Sequence, residues 1–335
     1  MKKVLLIAIV LMMLCACQKS DEDKLLELGY QEEDIVSIMG LSEELREVFL
    51  QEYDERYVEI INTTGFDEKK FDKYLSNYGL MENEIIVKLI NENKLTRNNM
   101  NKLKELYENE YYVAELEDIY LHYLDSYGSI RDMIEIVNTK RYLELYSDIE
   151  TADLSKGYLV LVNKYYKLPS DYEPDDLVEV SEYYGGGFLR SEVYKAYQEL
   201  YEDAYANGYD LRTVSTYRSY DYQDGLYNKY LSVDSQENVD TYSARPGHSE
   251  HQSGLCLDVS VPGYGLDDFY LTDASSWLAQ NCYKYGFIIR YTEEKVNITG
   301  YQAEPWQIRY VGKDAAKDIY SRGITLDEYY TCFVK

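Results

Sequence analysis

Between residues 24 and 153 no helical pattern runs far before it is cut. Glycine followed by an apolar residue recurs at Gly29-Tyr30, Gly40-Leu41, Gly65-Phe66 and Gly79-Leu80. Such a pair marks a helix stop, in which glycine takes the left-handed turn and the next side chain folds back on the helix. Ser42 before Glu43 and Glu44, and Asp67 before Glu68, supply caps and acidic first turns. Phe71, Tyr74, Leu75 and Tyr78 fall at helical spacing, as do Ile85, Ile86, Leu89 and Ile90. The stretch predicts an all-α, helical-repeat-like region of short hairpins without a strict period. It holds no catalytic constellation, and His122 reads as a packed or surface histidine. Its expected use is spacing or the binding of a protein partner.

The grain of the chain changes near residue 156. Gly157-Tyr158-Leu159-Val160-Leu161-Val162 is rich in strand formers and predicts a strand. Pro169 and Pro174 then fix an extended loop. Val193, Ala196, Tyr197, Leu200, Tyr201 and Ala204 make one helical face, which Ser191 could cap and Gly208 stops. A strand is expected over 211–216, a helix to about 230, a helix begun by Asp273 and ended by Gly286, a strand over 287–290, and a last helix over 314–321. The elements do not alternate as parallel βα units would. The reading is α+β, with a mainly antiparallel sheet flanked by helices over 156–335, preceded by the all-α region over 24–155.

Charge narrows the function. The chain has 335 residues, a formal net charge of -27 and 40 tyrosines. Phosphate backbones need a basic surface, so nucleic acid is excluded as a partner. Tyrosine buries a large ring while its hydroxyl finds a partner, so most of the tyrosines read as packing, with carbohydrate stacking as the other use of such rings. Cys256, Cys282 and Cys332 are an odd set with no CxxC pair, which argues against a cysteine zinc site.

Two of the three histidines lie in one stretch, Ser243-Ala-Arg-Pro-Gly-His248-Ser249-Glu-His251-Gln-Ser-Gly254-Leu-Cys-Leu-Asp258. Gly254 permits a turn, and residues 255–260 then alternate as a strand does. A histidine before a turn and a carboxylate on the following strand can converge on one metal ion, and that donor pair suits zinc.

Three separated motifs carry a resemblance. They are Ser215-Thr-Tyr-Arg218-Ser with Gln223, then Ser249-Glu-His251 through Asp258, then Glu304-Pro-Trp-Gln307-Ile-Arg-Tyr-Val-Gly312. Together with 161–163, 177–178 and 285–291, they resemble the VanY-type D-alanyl-D-alanine carboxypeptidases, zinc peptidases of the LAS superfamily. The resemblance covers about half the chain, from Tyr158 onward, and leaves out the N-terminal helices. It implies removal of terminal D-alanine from peptidoglycan stem peptides. It makes His251 and Asp258 zinc ligands, Glu304 the catalytic base, and Arg218 the support of an oxyanion or a substrate carboxylate. Gln223 and Ser249 match positions near the substrate. The family's third ligand is a histidine, and here that position is Gln307, a neutral amide and a poorer ligand for zinc. His248, in the loop before, is the one nearby histidine that could replace it. The resemblance therefore also implies a second reading, a catalytically impaired member that still binds stem peptides. A third makes this domain the wall anchor of a helical protein-binding arm.

The chain starts with Lys2 and Lys3 and an apolar run over 4–14, of signal-peptide length. Leu14-Cys15-Ala16-Cys17 resembles a bacterial lipobox. The expectation is a signal peptide over 1–16, lipid on Cys17 as the membrane attachment, an acidic tether over 17–23, and a body at the extracytoplasmic face of a bacterial cell membrane.

Overall fold

A computed structural model describes residues 19–335. The expected signal peptide and the expected lipidation at Cys17 lie outside the described residues. The chain divides into two compact units, Met1–Glu110 and Tyr111–Lys335. Residues 111–155, read from the sequence with the helical region, are thus grouped with the C-terminal unit.

In the first unit the helices are short, as the glycine punctuation predicts. They are α1 (Asp21–Leu28), α2 (Glu32–Met39), α3 (Glu43–Phe49), α4 (Glu55–Ile61), α5 (Phe71–Asn77), α6 (Asn83–Asn91) and α7 (Met100–Tyr107). Each is too short to stand alone in water and is held by its packed face. Leu25, Ile38, Phe49, Ile60, Phe71, Tyr74 and Ile86 form a common core. Ser42 caps α3 by accepting from the Leu45 amide. Gly29 is the left-handed cap of α1, whereas Gly65 and Gly79, although at positive φ, lie beyond the ends of α4 and α5, whose caps are Asn62 and Tyr78. Gly40 is not at positive φ: its φ is -75°, and its N–H bonds back as a right-handed continuation. The apolar residue after a glycine is therefore not sufficient for a left-handed stop, because the right-handed turn also satisfies the last carbonyls.

The second unit is built on a four-stranded sheet in the order β5-β6-β8-β7, antiparallel throughout. The strands are β5 (Arg212–Ser215), β6 (Cys256–Ser260), β7 (Phe287–Tyr291) and β8 (Glu304–Tyr310). Two small pairs precede it: β1 (Glu150–Thr151) with β2 (Tyr166–Lys167), parallel, and β3 (Leu177–Glu179) with β4 (Phe188–Arg190), antiparallel. Helices in chain order are α8 (Glu117–Tyr123), α9 (Ile130–Asn138), α10 (Ser191–Ala206), α11 (Tyr220–Leu231), α12 (Gln236–Tyr242), α13 (Asp273–Asn281), α14 (Val296–Thr299), α15 (Lys313–Arg322) and α16 (Leu326–Tyr329). Thus the α+β class with an antiparallel sheet and flanking helices is what the chain adopts. The apolar face of α10 (Val193, Tyr197, Leu200, Tyr201, Ala204) packs in one core with Leu257, Val259, Leu278, Phe287 and Ile308.

Three local expectations are corrected. The strand expected over 157–162 is absent: a 3-10 helix spans Leu154–Leu159, with Gly157 at φ 57° and ψ -120°. Val160, Leu161 and Val162 beyond it are buried without a ladder, and the Arg309 guanidinium takes carbonyls of the segment, donating to Tyr158 O at 2.9 Å and Val160 O at 2.7 Å. The helix expected to be capped by Ser191 begins at Ser191 with no side-chain cap. Thr272, not Asp273, caps α13, accepting from the Ser275 amide.

Pro305 lies inside β8, yet costs no ladder bond. β6 engages β8 only from Gln307 onward, and β7 is irregular between Ile289 and Tyr291. Gly286 enters β7 at φ 89°, where an added Cβ would stand 2.6 Å from the Tyr310 ring and 3.2 Å from the Gly312 backbone. Gly286→Ala is expected to lower stability by about 2–4 kcal/mol, from left-handed strain and overpacking together. Urea unfolding followed by tyrosine fluorescence measures it, and a loss under about 1 kcal/mol would contradict the close approach.

Candidate active site

The sheet register sets the site. Asp258 on β6 lies directly opposite Gln307 on β8 and Ser215 on β5. Residues directly opposite across an antiparallel pair share a face, so Asp258 and Gln307 project to the same side. Glu304, at the start of β8, pairs with Tyr291 of β7. His251 comes from the short turn Glu250–Ser253, which Gly254 closes at φ 66°. Arg218 follows β5, and its amide donates to His251 O at 3.3 Å. Ser219 then caps α11, which carries Gln223.

Arg218, Gln223, Ser249, His251, Asp258, Glu304 and Gln307, the site residues expected from the sequence, all line one cavity of about 490 Å³. The His251 ring is fully buried, and its Nδ1 stands 2.6 Å from Thr216 O. A carbonyl only accepts, so Nδ1 donates and Nε2 is left to face the site. Nε2 has no hydrogen-bond partner and lies 3.4 Å from Asp258 Oδ2. Asp258 Oδ1, Arg218 Nε and Gln223 Oε1 are likewise buried without a partner. Gln223 Nε2 is committed to Ala244 O at 2.8 Å, which leaves Oε1 as an acceptor. Buried polar atoms are normally satisfied, so several orphans around one cavity mark a place made for a ligand.

The surroundings of Glu304 push its carboxyl up to about 8. Desolvation is the main cause, the charge of Asp258 adds to it, and Arg218 and Arg290 oppose it. A carboxyl tuned toward neutrality can both take and return a proton.

Among the described residues, no group of three or more His, Cys, Asp and Glu side chains is gathered as a metal site. The donors that fit a cation are His251 Nε2, the Asp258 carboxylate and the amide of Gln307 opposite it. An imidazole lone pair and a carboxylate facing each other without a partner suit a zinc ion between them. His248 is not among them: its Nδ1 donates to Asn163 O at 2.7 Å, and its ring borders a separate groove with Lys167, Tyr220 and Arg245.

The sequence reading missed the aromatic lining of the cavity, chiefly Tyr291, Tyr301, Trp306, Tyr230 and Tyr242. It also missed the buried ions beneath the His251 turn. Glu250 Oε1 accepts from Arg290 Nε at 2.8 Å and from Arg309 Nη1 at 2.7 Å. A signal for these existed, since each arginine interrupts an apolar strand run, Phe287-Ile288-Ile289-Arg290 and Ile308-Arg309. For α12, a helix absent from the sequence reading, the signal was Ser235, which caps it by accepting from the Asn238 amide, with Glu237 in the first turn.

A cavity at the edge of an antiparallel sheet that gathers a histidine, two carboxylates and an arginine is an arrangement of the kind hydrolytic enzymes use. The sequence profile of the VanY family, described as D-alanyl-D-alanine carboxypeptidase, matches residues 187–313. YodJ of Bacillus subtilis (strain 168) is 41% identical over 191 residues, spanning 54% of this chain and 70% of that one. A D-alanyl-D-alanine carboxypeptidase of Enterococcus faecalis (strain ATCC 700802 / V583) is 33% identical over 189 residues, spanning 54% and 68%. The solved structure of the LdcB LD-carboxypeptidase aligns with a TM-score of 0.51 at 40% identity, covering 55% of this chain and 90% of that one. The chain belongs to the VanY family of carboxypeptidases.

Burial pushes the His248 imidazolium down to about 4, although the Asn163 carbonyl holds it up. The folded value lies below the ordinary value near 6.5, so stability is full above about 6.5, falls with pH across the window, and is lost below about 4. Between pH 7 and pH 4.5 the wild type should lose about 2 kcal/mol more than His248→Gln, by urea unfolding. Equal losses would mean that His248 titrates normally.

Proposed function

We propose that this chain is a zinc-dependent carboxypeptidase that removes the terminal D-alanine of peptidoglycan stem peptides outside the cell membrane, with Cys17 as its lipid attachment. The observation that carries the reading is the unpartnered His251 Nε2 facing Asp258 in a cavity shared with Glu304 and Arg218. His251, Asp258 and Gln307 would hold the metal, which when bound acidifies a water and polarises a carbonyl. Thr216 O fixes the His251 tautomer that such a role needs. Glu304 takes the proton of the attacking water and returns it to the leaving amine. Arg218, with Nε unpartnered, receives a carboxylate or a developing oxyanion in a charge-assisted bond. Gln223 Oε1 accepts a substrate N–H, and Ser249 also lines the cavity.

Relatives named for D,D- and for L,D-cleavage both support the reading, so both peptide ends are substrates to test. Gln307 favours one alternative, an impaired member that binds stem peptides without cutting them. A separate alternative makes the N-terminal helices an arm for a protein partner, anchored by this domain. Among the described residues no helix is long and apolar enough to cross a membrane, and attachment rests on Cys17 in this proposal.

Elemental analysis is expected to find zinc, with D-alanine released from peptides ending in D-Ala-D-Ala or in a single D-Ala. Glu304→Gln should lower kcat by roughly 10²–10⁴-fold with zinc content unchanged. Gln307→His should tighten zinc roughly 100-fold, because an imidazole replaces a neutral amide. Metal-free protein that releases nothing in added zinc, yet binds peptide, would establish the impaired reading instead.

A further inference from the structure

One motif of the sequence is not used by the proposed chemistry: Leu161-Val162-Asn163 and the lysine that follows it. Lys164 is 1% exposed. Its Nζ donates to Asp240 O, sits 3.5 Å from the Tyr301 ring centroid and 4.9 Å from that of Tyr146, and reaches Tyr146 Oη at 3.4 Å. Tyr146 Oη and Tyr301 Oη are 3.2 Å apart.

These contacts tie together segments that otherwise have little in common. Asp240 lies in the last turn of α12, where carbonyls have no partner within the helix and a positive group is favoured. The Asp240 carboxylate accepts from Tyr227 Oη at 2.7 Å on α11 and from Arg245 Nη2 at 2.7 Å in the loop before His248. Tyr301 begins the segment 301–304, which lines the cavity and ends at Glu304. That segment also meets α12 directly, where the Gln302 amide donates to Thr241 O at 2.8 Å. Gly300, at φ 71°, lets the turn close on the lysine: a Cβ there would stand 2.8 Å from Lys164 Cε. Asn163 anchors the lysine from behind, donating to Asp327 Oδ1 at 2.7 Å and accepting from His248 Nδ1 at 2.7 Å.

We infer that Lys164 is a positioning residue of the active site, locking the 299–304 turn against the end of α12 and so fixing where Glu304 stands. It lies outside the cavity lining and touches no reacting atom. Burial pushes its ammonium down to about 7 against the pull of Asp240, so the amine is held there at a desolvation cost rather than as a stabilising charge. A methionine of similar length would fill the space without that cost. Stability and positioning therefore separate in the variant.

The inference rests on the carboxypeptidase reading for its kinetic test, and a second readout is independent of it. In Lys164→Met, the melting temperature is expected to stay equal or rise, and zinc content to stay the same. D-alanine release should lose about tenfold or more in kcat with KM changed less than threefold, since a small misplacement of a catalytic group is costly. Amide hydrogen exchange should speed up in 299–304 and 240–245 but not in 255–260. Tyr146→Phe, which removes only the hydroxyl next to Lys164 and Tyr301, should show the same pattern at smaller amplitude, and decides the matter if Lys164→Met does not fold. A folded Lys164→Met with wild-type kcat, or with unchanged exchange in 299–304, overturns the inference. A wild type that releases no D-alanine overturns the carboxypeptidase reading alone, and the exchange comparison still decides Lys164.

Discussion

A carboxylate buried beneath the turn that bears His251 holds this domain together. Glu250 sits one residue before His251, and its Oε1 is shared by the guanidinium groups of Arg290 on β7 and Arg309 on β8. Arg290 also donates to Asp327 Oδ2 at 2.7 Å, and Asp327 accepts from Asn163. The pairs are almost wholly shielded from water, where losing one partner leaves an uncompensated charge at a cost of about 3–5 kcal/mol. Through them the turn bearing His251 is fixed to β7 and to β8, the strand that bears both Glu304 and Gln307. Arg309 also satisfies the carbonyls of 158 and 160, so the entry segment of the domain is held by the same guanidinium.

The tyrosines share this economy of polar groups. Among the described residues, Tyr197 donates to Leu211 O, Tyr227 to Asp240, Tyr201 to Asp210 and Tyr285 to Asp203. A ring enters the core while its hydroxyl ties down a carbonyl or an acid. With 61 acidic residues against 34 basic ones, many carboxylates cannot find a cation, and phenols serve several of them. Packing, the first use expected of these residues, accounts for the tyrosines named here.

Much of the architecture was legible in the sequence. The end of α1 followed from Gly29, because glycine takes the left-handed cap without strain, whereas α4 and α5 end before the glycines expected to stop them. The α10 face was legible for a local reason too, a period of 3.6 in its apolar residues. Residues 157–162 misled, because strand propensity describes fitness for a pleated, half-buried surface and says nothing about which group will satisfy the backbone. Here that group is a guanidinium about 150 residues away. In the site, Arg218, His251, Asp258 and Glu304 were legible as chemistry-bearing residues within motifs, whereas Lys164 and Tyr301 were not. Their part depends on a helix, α12, and a turn that meet only when the chain is folded.

The sequence by itself determined the class of fold, the membership of the chain in one family, and the donor types on offer, including an amide at 307. Those are properties of residue type, period and order. Tertiary structure decided how the donors stand. It set Asp258 opposite Gln307 by strand register, turned the free nitrogen of His251 toward Asp258 through the Thr216 carbonyl, and raised Glu304 by enclosing it near that same carboxylate. Register, tautomer and desolvation each arise between residues that are distant in the chain.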